Sequence, residues 1–358
     1  MKTLLIASIS DYSGKTLVAL GLGKRLQADG FKVGYMKPLG KYPTTVNDTV
    51  VDSDAAFIHE VLGLDDPLEY VSPVIMTQDI INRAYSGEDL HLQEKIVQAH
   101  KEVSKDKDVV MVGWIGTINQ GNLLGVPITD LADQLDAHVI ILYKCEERIL
   151  VDDLLQAKYM LKDRIAGVIF NQVEFPMLDS IKRRVAPFLA KNGVNVLGVL
   201  LNDPILMSVS IRELAETLGG EVLCCRNRLD DLVERFSVGA MNVEGALKYF
   251  RKVRSKAVIT GGDRSDIQLA ALETDTRCMI LTGNLYPNDI IVARAEERDV
   301  PIVLVQKDTI SVVQQVEDIM TTLRIRDERK INRAIQLVDQ EMDFSLLYEH
   351  LQLKVDSQ

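Results

Sequence analysis

The chain has 358 residues with a formal net charge of −11; 47% of the residues are hydrophobic and 26% are charged. This length predicts two domains, and the hydrophobic fraction is sufficient for a full core. The negative charge argues against nucleic acid as the main partner, because binding its phosphates needs a basic surface. No stretch of the sequence approaches the roughly 18 apolar residues of a membrane-spanning helix. We therefore expect partners that include neither nucleic acid nor a membrane.

The four cysteines show no CxxC spacing, and the five histidines are scattered along the chain. This pattern predicts neither a zinc site nor a disulfide framework. Unpaired cysteines are typical of a reducing compartment, so we expect the protein in the cytoplasm. The adjacent Cys224 and Cys225 are expected to pack as small hydrophobic side chains.

The N-terminal stretch TLLIASISDYSGKT, residues 3–16, carries the strongest local motif. An apolar strand opens the stretch, a loop of small residues follows, and an apolar helical pattern begins at Lys15. This order is typical of a phosphate-binding P-loop, in which main-chain N–H groups surround the phosphates. Lys15 adds a positive charge there, and the hydroxyl of Thr16 can ligate Mg²⁺. One position departs from the pattern, since Ile9 replaces the usual first glycine.

Charged residues mark the ends of the next two elements. The second apolar strand ends at Lys37, and a lysine at the carboxyl end of a strand in an open α/β sheet faces the crevice where such sheets bind ligands. Asp52 and Asp54 then enter a helix. Either they are favourable charges at a helix N-terminus, or Asp54 is a ligand of a phosphate-bound Mg²⁺.

The rest of the first half alternates apolar strands with helical patterns. The later apolar segments cover residues 108–112, 137–144, 164–173 and 195–203. Continuous apolar strands separated by helices predict an α/β fold, with a parallel sheet covered by helices on both faces.

Residues 1–225 resemble the dethiobiotin synthetase-like P-loop ATPase fold. More closely, they resemble its version at the N-terminus of long bacterial phosphate acetyltransferases. The strings SGKT, GYMKPLG, VDSDA and GVIFNQV carry this resemblance. It implies a first domain of residues 1–225 with a P-loop parallel sheet flanked by helices. It also implies ATP or another adenine nucleotide as the ligand, together with Mg²⁺.

The resemblance also assigns roles to individual residues. In the family, the P-loop binds nucleotide phosphate and Mg²⁺, the lysine of the KP motif contacts phosphate or substrate, and the aspartate of the SDA string binds Mg²⁺. The asparagine that closes the fifth strand reads the adenine edge. The implied positions are Ser13, Gly14, Lys15, Thr16 and Asn171 for the nucleotide, Thr16 and Asp54 for the metal, and Lys15 and Lys37 for any catalysis.

The third strand departs from the family pattern. Its motif in the family is Val-Glu-Gly, and the glutamate completes the metal site, whereas here Val112 is followed by Gly113 and Trp114. Losing a carboxylate weakens Mg²⁺ binding and the charge stabilisation on which phosphoryl transfer relies. We therefore expect poor nucleotide turnover, and we expect Trp114 to fill space in the pocket.

Residues 226–325 are predicted to form a second, smaller α/β domain. The string ITGGDRSD, beside LTGNLYP and VPIVLV, resembles the DRTGG domain, which follows the same ATPase-like domain in the long phosphate acetyltransferases. That domain is usually described as a sensing or oligomerising module. Gly261 and Gly262 permit a tight turn, and Asp263 and Arg264 are candidates for a ligand site or an interface. The alternative is that Asp263 and Arg264 pair with each other or across a dimer interface.

Residues 326–358 are predicted to form a helical C-terminal tail, and no acetyltransferase domain is expected in this chain. Two functions remain open. The first is a regulatory, nucleotide-sensing protein with a degenerate P-loop, assembled as a homo-oligomer, a dimer in the first instance, and acting with a metabolic enzyme. The second is an ATP- and Mg²⁺-dependent ligase or synthetase similar to dethiobiotin synthetase. Similarity along the whole chain favours the first, and Gly113 argues against efficient catalysis. Any enzymatic activity is expected to be that of a weak ATPase or an ATP-dependent ligase.

Overall fold

The computed structural model describes residues 1–145, 149, 151–321 and 327–355. It divides into two compact units, each described separately below. The first comprises Met1–Asn202 and Ile325–Gln358, and the second comprises Asp203–Arg324. In the described parts of the chain, no helix is both long enough and apolar enough to cross a bilayer.

The first unit alternates strands and helices from its first residues onward. Its strands are β1 (Lys2–Ser8), β2 (Val33–Met36), β3 (Leu39–Gly40), β4 (Pro43–Val46), β5 (Thr49–Asp52), β6 (Val74–Ile75), β7 (Val109–Gly113), β8 (Ala137–Lys144), β9 (Ile165–Val173) and β10 (Val196–Leu201). Its helices up to residue 202 are α1 (Lys15–Ala28), α2 (Ser53–Leu62), α3 (Leu68–Val71), α4 (Gln78–Tyr85), α5 (Leu92–Val103), α6 (Ile128–Gln134), α7 (Asp152–Leu161), α8 (Leu178–Ser180) and α9 (Ala186–Lys191). Short 3₁₀ turns and one π turn join some of them.

The sheet of this unit is parallel. Within the described residues it has six strands in the order β10-β9-β8-β1-β7-β2. Leu5 of β1 lies opposite Val112 of β7 on one side and Val139 of β8 on the other. Leu5 and its neighbours in β1 are fully buried, as expected for a strand covered on both faces. The α/β fold predicted from the apolar segments is confirmed.

The second unit is a smaller α/β domain. Its strands are β11 (Val209–Ser210), β12 (Glu221–Val222), β13 (Leu232–Val233), β14 (Arg235–Val238), β15 (Lys256–Gly261), β16 (Thr276–Thr282) and β17 (Ile302–Leu304). Its helices are α10 (Ile211–Leu218), α11 (Val243–Phe250), α12 (Ser265–Leu272), α13 (Asp289–Glu297) and α14 (Thr309–Thr321). Its main sheet has the order β12-β17-β16-β15-β14, and β12 is antiparallel to β17 while the other pairs are parallel.

The division between the units differs from the boundary that the sequence suggested. The sequence analysis ends the first domain at residue 225, whereas residues 203–225 lie in the second unit. The reason is strand pairing, because Glu221 and Val222 of β12 lie opposite Leu304 and Val303 of β17.

The C-terminal helices α15 (Glu328–Glu341) and α16 (Phe344–Leu351) belong to the first unit. Val338 of α15 lies against Gly21 of α1, where any side chain larger than hydrogen would overlap it. Near the start of α16, the main-chain N–H of Asp343 donates to the carbonyl oxygen of a residue in β10 (2.7 Å). The segment that the sequence analysis describes as a tail is therefore helical and packs as part of the first unit.

Candidate functional site

The loop between β1 and α1 has the backbone expected of a P-loop. Gly14 precedes the first helical residue with φ 89° and ψ 25°, a left-handed conformation that favours glycine. Tyr12 is also left-handed, with φ 51°. These two turns reverse the chain at the carboxyl edge of the sheet, where open parallel sheets bind ligands.

Unused hydrogen-bond donors are concentrated in this loop. Within the described part of the chain, the main-chain N–H groups of residues 10–17 donate to no protein acceptor, whereas the next one, of Val18, donates to Gly14. The Ser13 side chain is 1% exposed, and its hydroxyl has no partner among the described residues. The buried Ser10 hydroxyl is in the same situation. Buried hydroxyls without partners are uncommon, and main-chain N–H groups at a helix N-terminus attract anions, so the loop fits an anionic ligand such as nucleotide phosphate.

The Lys15 ammonium is held over the loop by two oxygen atoms. Its Nζ donates to the Ser8 hydroxyl (2.8 Å) and to the carbonyl oxygen of Gly116, in the loop after β7 (2.6 Å). Burial lowers the pKa of Lys15 to about 8. Asp11 and Asp54 oppose this effect, and the positive charge of Lys37 adds to it. The structure thus brings Lys15, Lys37 and Asp54 into one electrostatic environment.

Asn171 contacts the P-loop directly. It lies near the end of β9 and is 4% exposed. Its side-chain Nδ2 donates to the carbonyl oxygen of Ser13 (2.8 Å). A Cβ on Gly14 would overlap the same Nδ2 atom. The residue implied by resemblance to read adenine is therefore already engaged, through its nitrogen, in holding the loop.

Lys37 and two aspartates form a cluster beside this loop. The Lys37 Nζ lies 2.7 Å from Oδ1 of Asp52 and 3.0 Å from Oδ2 of Asp54. Asp52 also caps α2, because its Oδ1 accepts hydrogen bonds from the main-chain N–H groups of Asp54 and Ala55. Burial alone raises the pKa of Asp52, but the Lys37 charge and the hydrogen bonds outweigh it and leave the pKa below its ordinary value.

The end of β7 has no room for a longer side chain. A Cβ on Gly113 would overlap the hydroxyl of Tyr35, which is 3% exposed. Burial raises the pKa of Tyr35 far above its ordinary value, with Asp54 and Asp52 adding to the effect. Trp114 is 1% exposed within the main core of the first unit, and its indole N–H donates to the carbonyl oxygen of Thr117 (3.1 Å). Sequence reasoning missed Tyr35 because it lies in a neighbouring strand, remote along the chain.

The assignment of Thr16 and Asp54 to a metal stays a prediction. Among the described residues, no group of three or more His, Cys, Asp or Glu side chains is placed to hold a metal ion. Asp54, implied as a Mg²⁺ ligand, is paired with Lys37, and Thr16 lies in the first turn of α1. In this arrangement the Asp54 carboxylate contacts the Lys37 ammonium.

The Gly-Gly-Asp-Arg loop of the second unit connects β15 to α12. Gly262 is buried, and a Cβ there would overlap the carbonyl oxygen of Leu285. The Arg264 guanidinium contacts both carboxylate oxygens of Asp266 (3.0 and 3.1 Å) and the carbonyl oxygen of Met241 (3.1 Å). The pairing of Arg264 with Asp263 was one alternative from the sequence, and the structure pairs Arg264 with Asp266 instead.

Gln268 supports this loop from α12. It is fully buried, and its Nε2 donates to the carbonyl oxygens of Gly261 (2.9 Å) and Gly262 (3.0 Å). Its Oε1 has no partner among the described residues. Sequence reasoning missed Gln268, although a glutamine within an otherwise apolar helix was the available signal.

Two family models match successive parts of the chain. The AAA domain family matches residues 2–210, more than half of the chain. The chain belongs to this family. The DRTGG domain family matches residues 213–319, which confirms the resemblance drawn from the ITGGDRSD string.

Relatives of this AAA-domain protein include phosphate acetyltransferases. The enzyme of Nitratidesulfovibrio vulgaris is 26% identical, over 97% of this chain and 51% of that protein. The enzyme of Synechocystis sp. is 22% identical, over 98% and 52%, and that of Pseudomonas putida is 25% identical, over 98% and 52%. The chain therefore spans about half the length of these relatives.

Two solved structures show distant likenesses to this AAA-domain protein. One contains the CBS and DRTGG domains of the regulatory region of Clostridium perfringens pyrophosphatase, complexed with the activator diadenosine tetraphosphate. It has 19% identity and a TM-score of 0.28, and covers 49% of this chain and 76% of that chain. The other is the MinD cell division protein of Aquifex aeolicus, with 17% identity and a TM-score of 0.35, covering 57% and 84%.

Proposed function

We propose that this protein is a regulatory nucleotide-binding protein, and that its P-loop binds adenine nucleotide with little or no turnover. The observation that carries the proposal is the row of unused N–H donors at residues 10–17, together with the unpartnered hydroxyl of Ser13. Phosphate oxygens satisfy such donors, and the helix dipole of α1 favours their negative charge. Lys15 supplies a further positive charge beside the loop.

The chain's own residues have distinct parts in this proposal. Gly14 and Ser13 present main-chain groups to the phosphates, and Thr16 opens the helix behind them. Lys15 exchanges its contact with the Gly116 carbonyl for a phosphate oxygen. The Oδ1 of Asn171 has no hydrogen-bond donor among the described residues. It is therefore the atom available to accept a hydrogen bond from the amino group of adenine.

Weak turnover follows from the lack of a carboxylate at Gly113, the last residue of β7. Phosphoryl transfer depends on positioning and on neutralising the charge that spreads over the transferred group. Gly113 supplies no carboxylate, and Tyr35 fills the space where one would stand. The same observation disfavours the alternative of an ATP-dependent ligase or synthetase.

Binding is tested by titrating the full chain with ATP and following the fluorescence of Trp114, its only tryptophan. Trp114 reports on the site because it lies two residues before Gly116, whose carbonyl accepts the Lys15 hydrogen bond. We expect saturable binding by the wild type and a loss of at least about tenfold in affinity for Lys15→Ala, because a charge-assisted hydrogen bond is lost. The matched control is Lys24→Ala, which removes a lysine from the same helix. Equal affinity of wild type and Lys15→Ala would contradict the proposal.

Turnover is measured on the same samples as release of ADP and phosphate. The regulatory proposal expects a rate far below the roughly 1–100 s⁻¹ of kinases. A rate within that range would favour the ligase or synthetase instead. Carboxylic acid substrates added to the assay would then be the next measurement.

The DRTGG unit is proposed to mediate self-association, with a dimer as the expected state and a metabolic enzyme as the downstream partner. The apolar side chains of Leu285 and Met241 are 47% and 40% exposed, next to the loop that carries Arg264. Sedimentation of the full chain tests this. Leu285→Asp should give a monomer, whereas the control Ile310→Asp, at a residue that is 75% exposed in the same unit, should not. A wild-type monomer at all concentrations would contradict the proposal.

A cytoplasmic setting completes the proposal. It rests on the cysteine pattern, which is typical of a reducing compartment.

A further inference from the structure

The Lys37 ammonium occupies the centre of the charge cluster beside the P-loop. It lies within 3.0 Å of both Asp52 and Asp54. The side chains of Lys37 and Asp52 are 9% and 0% exposed, and that of Asp54 is 24% exposed. Buried opposite charges in such close contact neutralise each other with little screening by water.

Asp52 has no oxygen lone pair left for a metal ion. Its two oxygens accept hydrogen bonds from the main-chain N–H groups of Asp54, Ala55, Lys41 and Tyr42, in addition to the Lys37 ammonium. A carboxylate offers about four lone-pair sites, and all are used here. Coordination of a cation by Asp52 would therefore remove the cap of α2 or the Lys37 pair.

Position 113, where the family motif has its metal-binding glutamate, offers no metal ligand either. Tyr35 stands against Gly113, and its phenol stays neutral because burial raises its pKa far above the ordinary value. Mg²⁺ prefers carboxylates, phosphate oxygens and water in a near-ideal octahedron, so a neutral buried phenol is a poor ligand. A divalent cation at Asp54 would also lie beside the Lys37 ammonium, where like charges repel.

We infer that this P-loop binds nucleotide phosphate without a divalent cation, because the Lys37 ammonium and not a metal ion pairs with Asp54. The Lys37 ammonium offsets one of the two carboxylate charges of Asp52 and Asp54 and so reduces their repulsion of the phosphates, while Lys15 and the loop N–H groups contact the phosphates. This inference rests on the proposed nucleotide binding and specifies its form: the ligand is the metal-free polyphosphate.

The first test measures ATP affinity by calorimetry on the full chain, in EDTA and in excess MgCl₂. We expect dissociation constants that agree within about twofold. Binding that is tighter by about tenfold or more in MgCl₂ would overturn the inference while leaving nucleotide binding intact. Absence of binding in both solutions would overturn the proposed function, and the second test then decides the metal question alone.

The second test needs no nucleotide. Mn²⁺ binding is followed by electron paramagnetic resonance, and the melting temperature is compared with and without MgCl₂. The wild type should bind no Mn²⁺ and show no shift in melting temperature. Lys37→Met, which removes the ammonium but keeps most of the side-chain volume, should bind Mn²⁺ and be stabilised by MgCl₂, because the freed Asp54 carboxylate then attracts a cation.

The matched control is Lys41→Ala. Lys41 is an exposed neighbour whose main-chain N–H, not its side chain, contacts Asp52. This variant should behave as the wild type in both measurements. Stoichiometric Mn²⁺ binding by the wild type that is lost in Asp54→Asn would overturn the inference, whether or not Lys37→Met folds.

Discussion

The side-chain amide of Asn171 donates a 2.8 Å hydrogen bond to the main-chain carbonyl oxygen of Ser13. Asn171 is 4% exposed and Ser13 is 1% exposed, so water does not compete for this bond. The bond joins the carboxyl end of β9 to the P-loop. It gives Asn171 a role in holding the loop that is independent of any nucleotide.

Replacing Asn171 by Leu should therefore destabilise the protein in the absence of ligand. The Ser13 carbonyl loses its donor in a buried place, which costs about 1–3 kcal/mol. Urea unfolding followed by circular dichroism measures this. The control is Asn202→Ala, because the Asn202 amide bonds to Glu174 on the surface and its loss should cost less than about 0.5 kcal/mol. Equal effects of the two substitutions would contradict the prediction.

Substitutions at Gly14 and Gly30 allow the cost of backbone strain to be measured apart from the cost of steric overlap. Both have φ close to 90°, but a Cβ on Gly14 would overlap Asn171, whereas a Cβ on Gly30 would meet nothing within 4 Å. Gly14→Ala should thus cost more than Gly30→Ala, which carries the strain alone, of order 1–2 kcal/mol. The same unfolding assay in an Asn171→Ala background should bring the two costs together. A difference that survives in that background would show that Asn171 is not its cause.

Local patterns in the sequence were sufficient for the sheet and the P-loop. Continuous apolar segments predicted the six strands, since buried parallel strands need them. The DRTGG resemblance, drawn from one loop string, is confirmed by the match to residues 213–319. The predicted roles of Lys15, Thr16, Lys37 and Asp54 toward nucleotide and metal stay predictions.

The same local patterns do not predict contacts between parts of the chain that are distant in sequence. Val338 packs on Gly21 across more than 300 residues of sequence, and no local periodicity encodes that partner. In the same way, the sequence at Gly113 indicates only that the glutamate of the family motif is absent. That Tyr35 stands in the vacant place follows from the parallel pairing of β2 with β7, which a single sequence does not give.

The affinity for nucleotide should fall as the pH rises through about 8. Burial lowers the pKa of Lys15 from 10.5 to about 8, so the free protein loses this ammonium in mildly alkaline solution. Bound phosphate favours the charged form, and binding above pH 8 must therefore take up a proton. The dissociation constant should then rise by up to about tenfold per pH unit. The phosphate itself takes up no proton above pH 8, because its second pKa is about 6.

Stability has the opposite trend, which gives an independent check on Lys15. Between about pH 8 and 10.5 the unfolded chain binds more protons at Lys15 than the native protein. The contribution of Lys15 to stability therefore increases with pH across this window, and its burial penalty is fully present below pH 8. Comparing urea unfolding of wild type and Lys15→Met at pH 7 and pH 10 isolates the contribution of Lys15 to the free energy of unfolding. The stability advantage of Lys15→Met should shrink at pH 10, and a constant difference would contradict the assigned pKa.

Gly113 and Tyr35 should be energetically coupled. A Cβ at position 113 would overlap the Tyr35 hydroxyl, whereas the ring carbon behind it would be 3.2 Å away. Gly113→Ala alone should destabilise the protein by about 1–3 kcal/mol through overpacking in a buried strand. Tyr35→Phe removes the oxygen, so Gly113→Ala should cost less in that background. The double-mutant cycle measures this difference by urea unfolding, with a coupling of about 0.5–3 kcal/mol expected for side chains in contact. Simple additivity would mean that the strand shifts to accept the methyl group, and the position would then be open to the glutamate of the family motif.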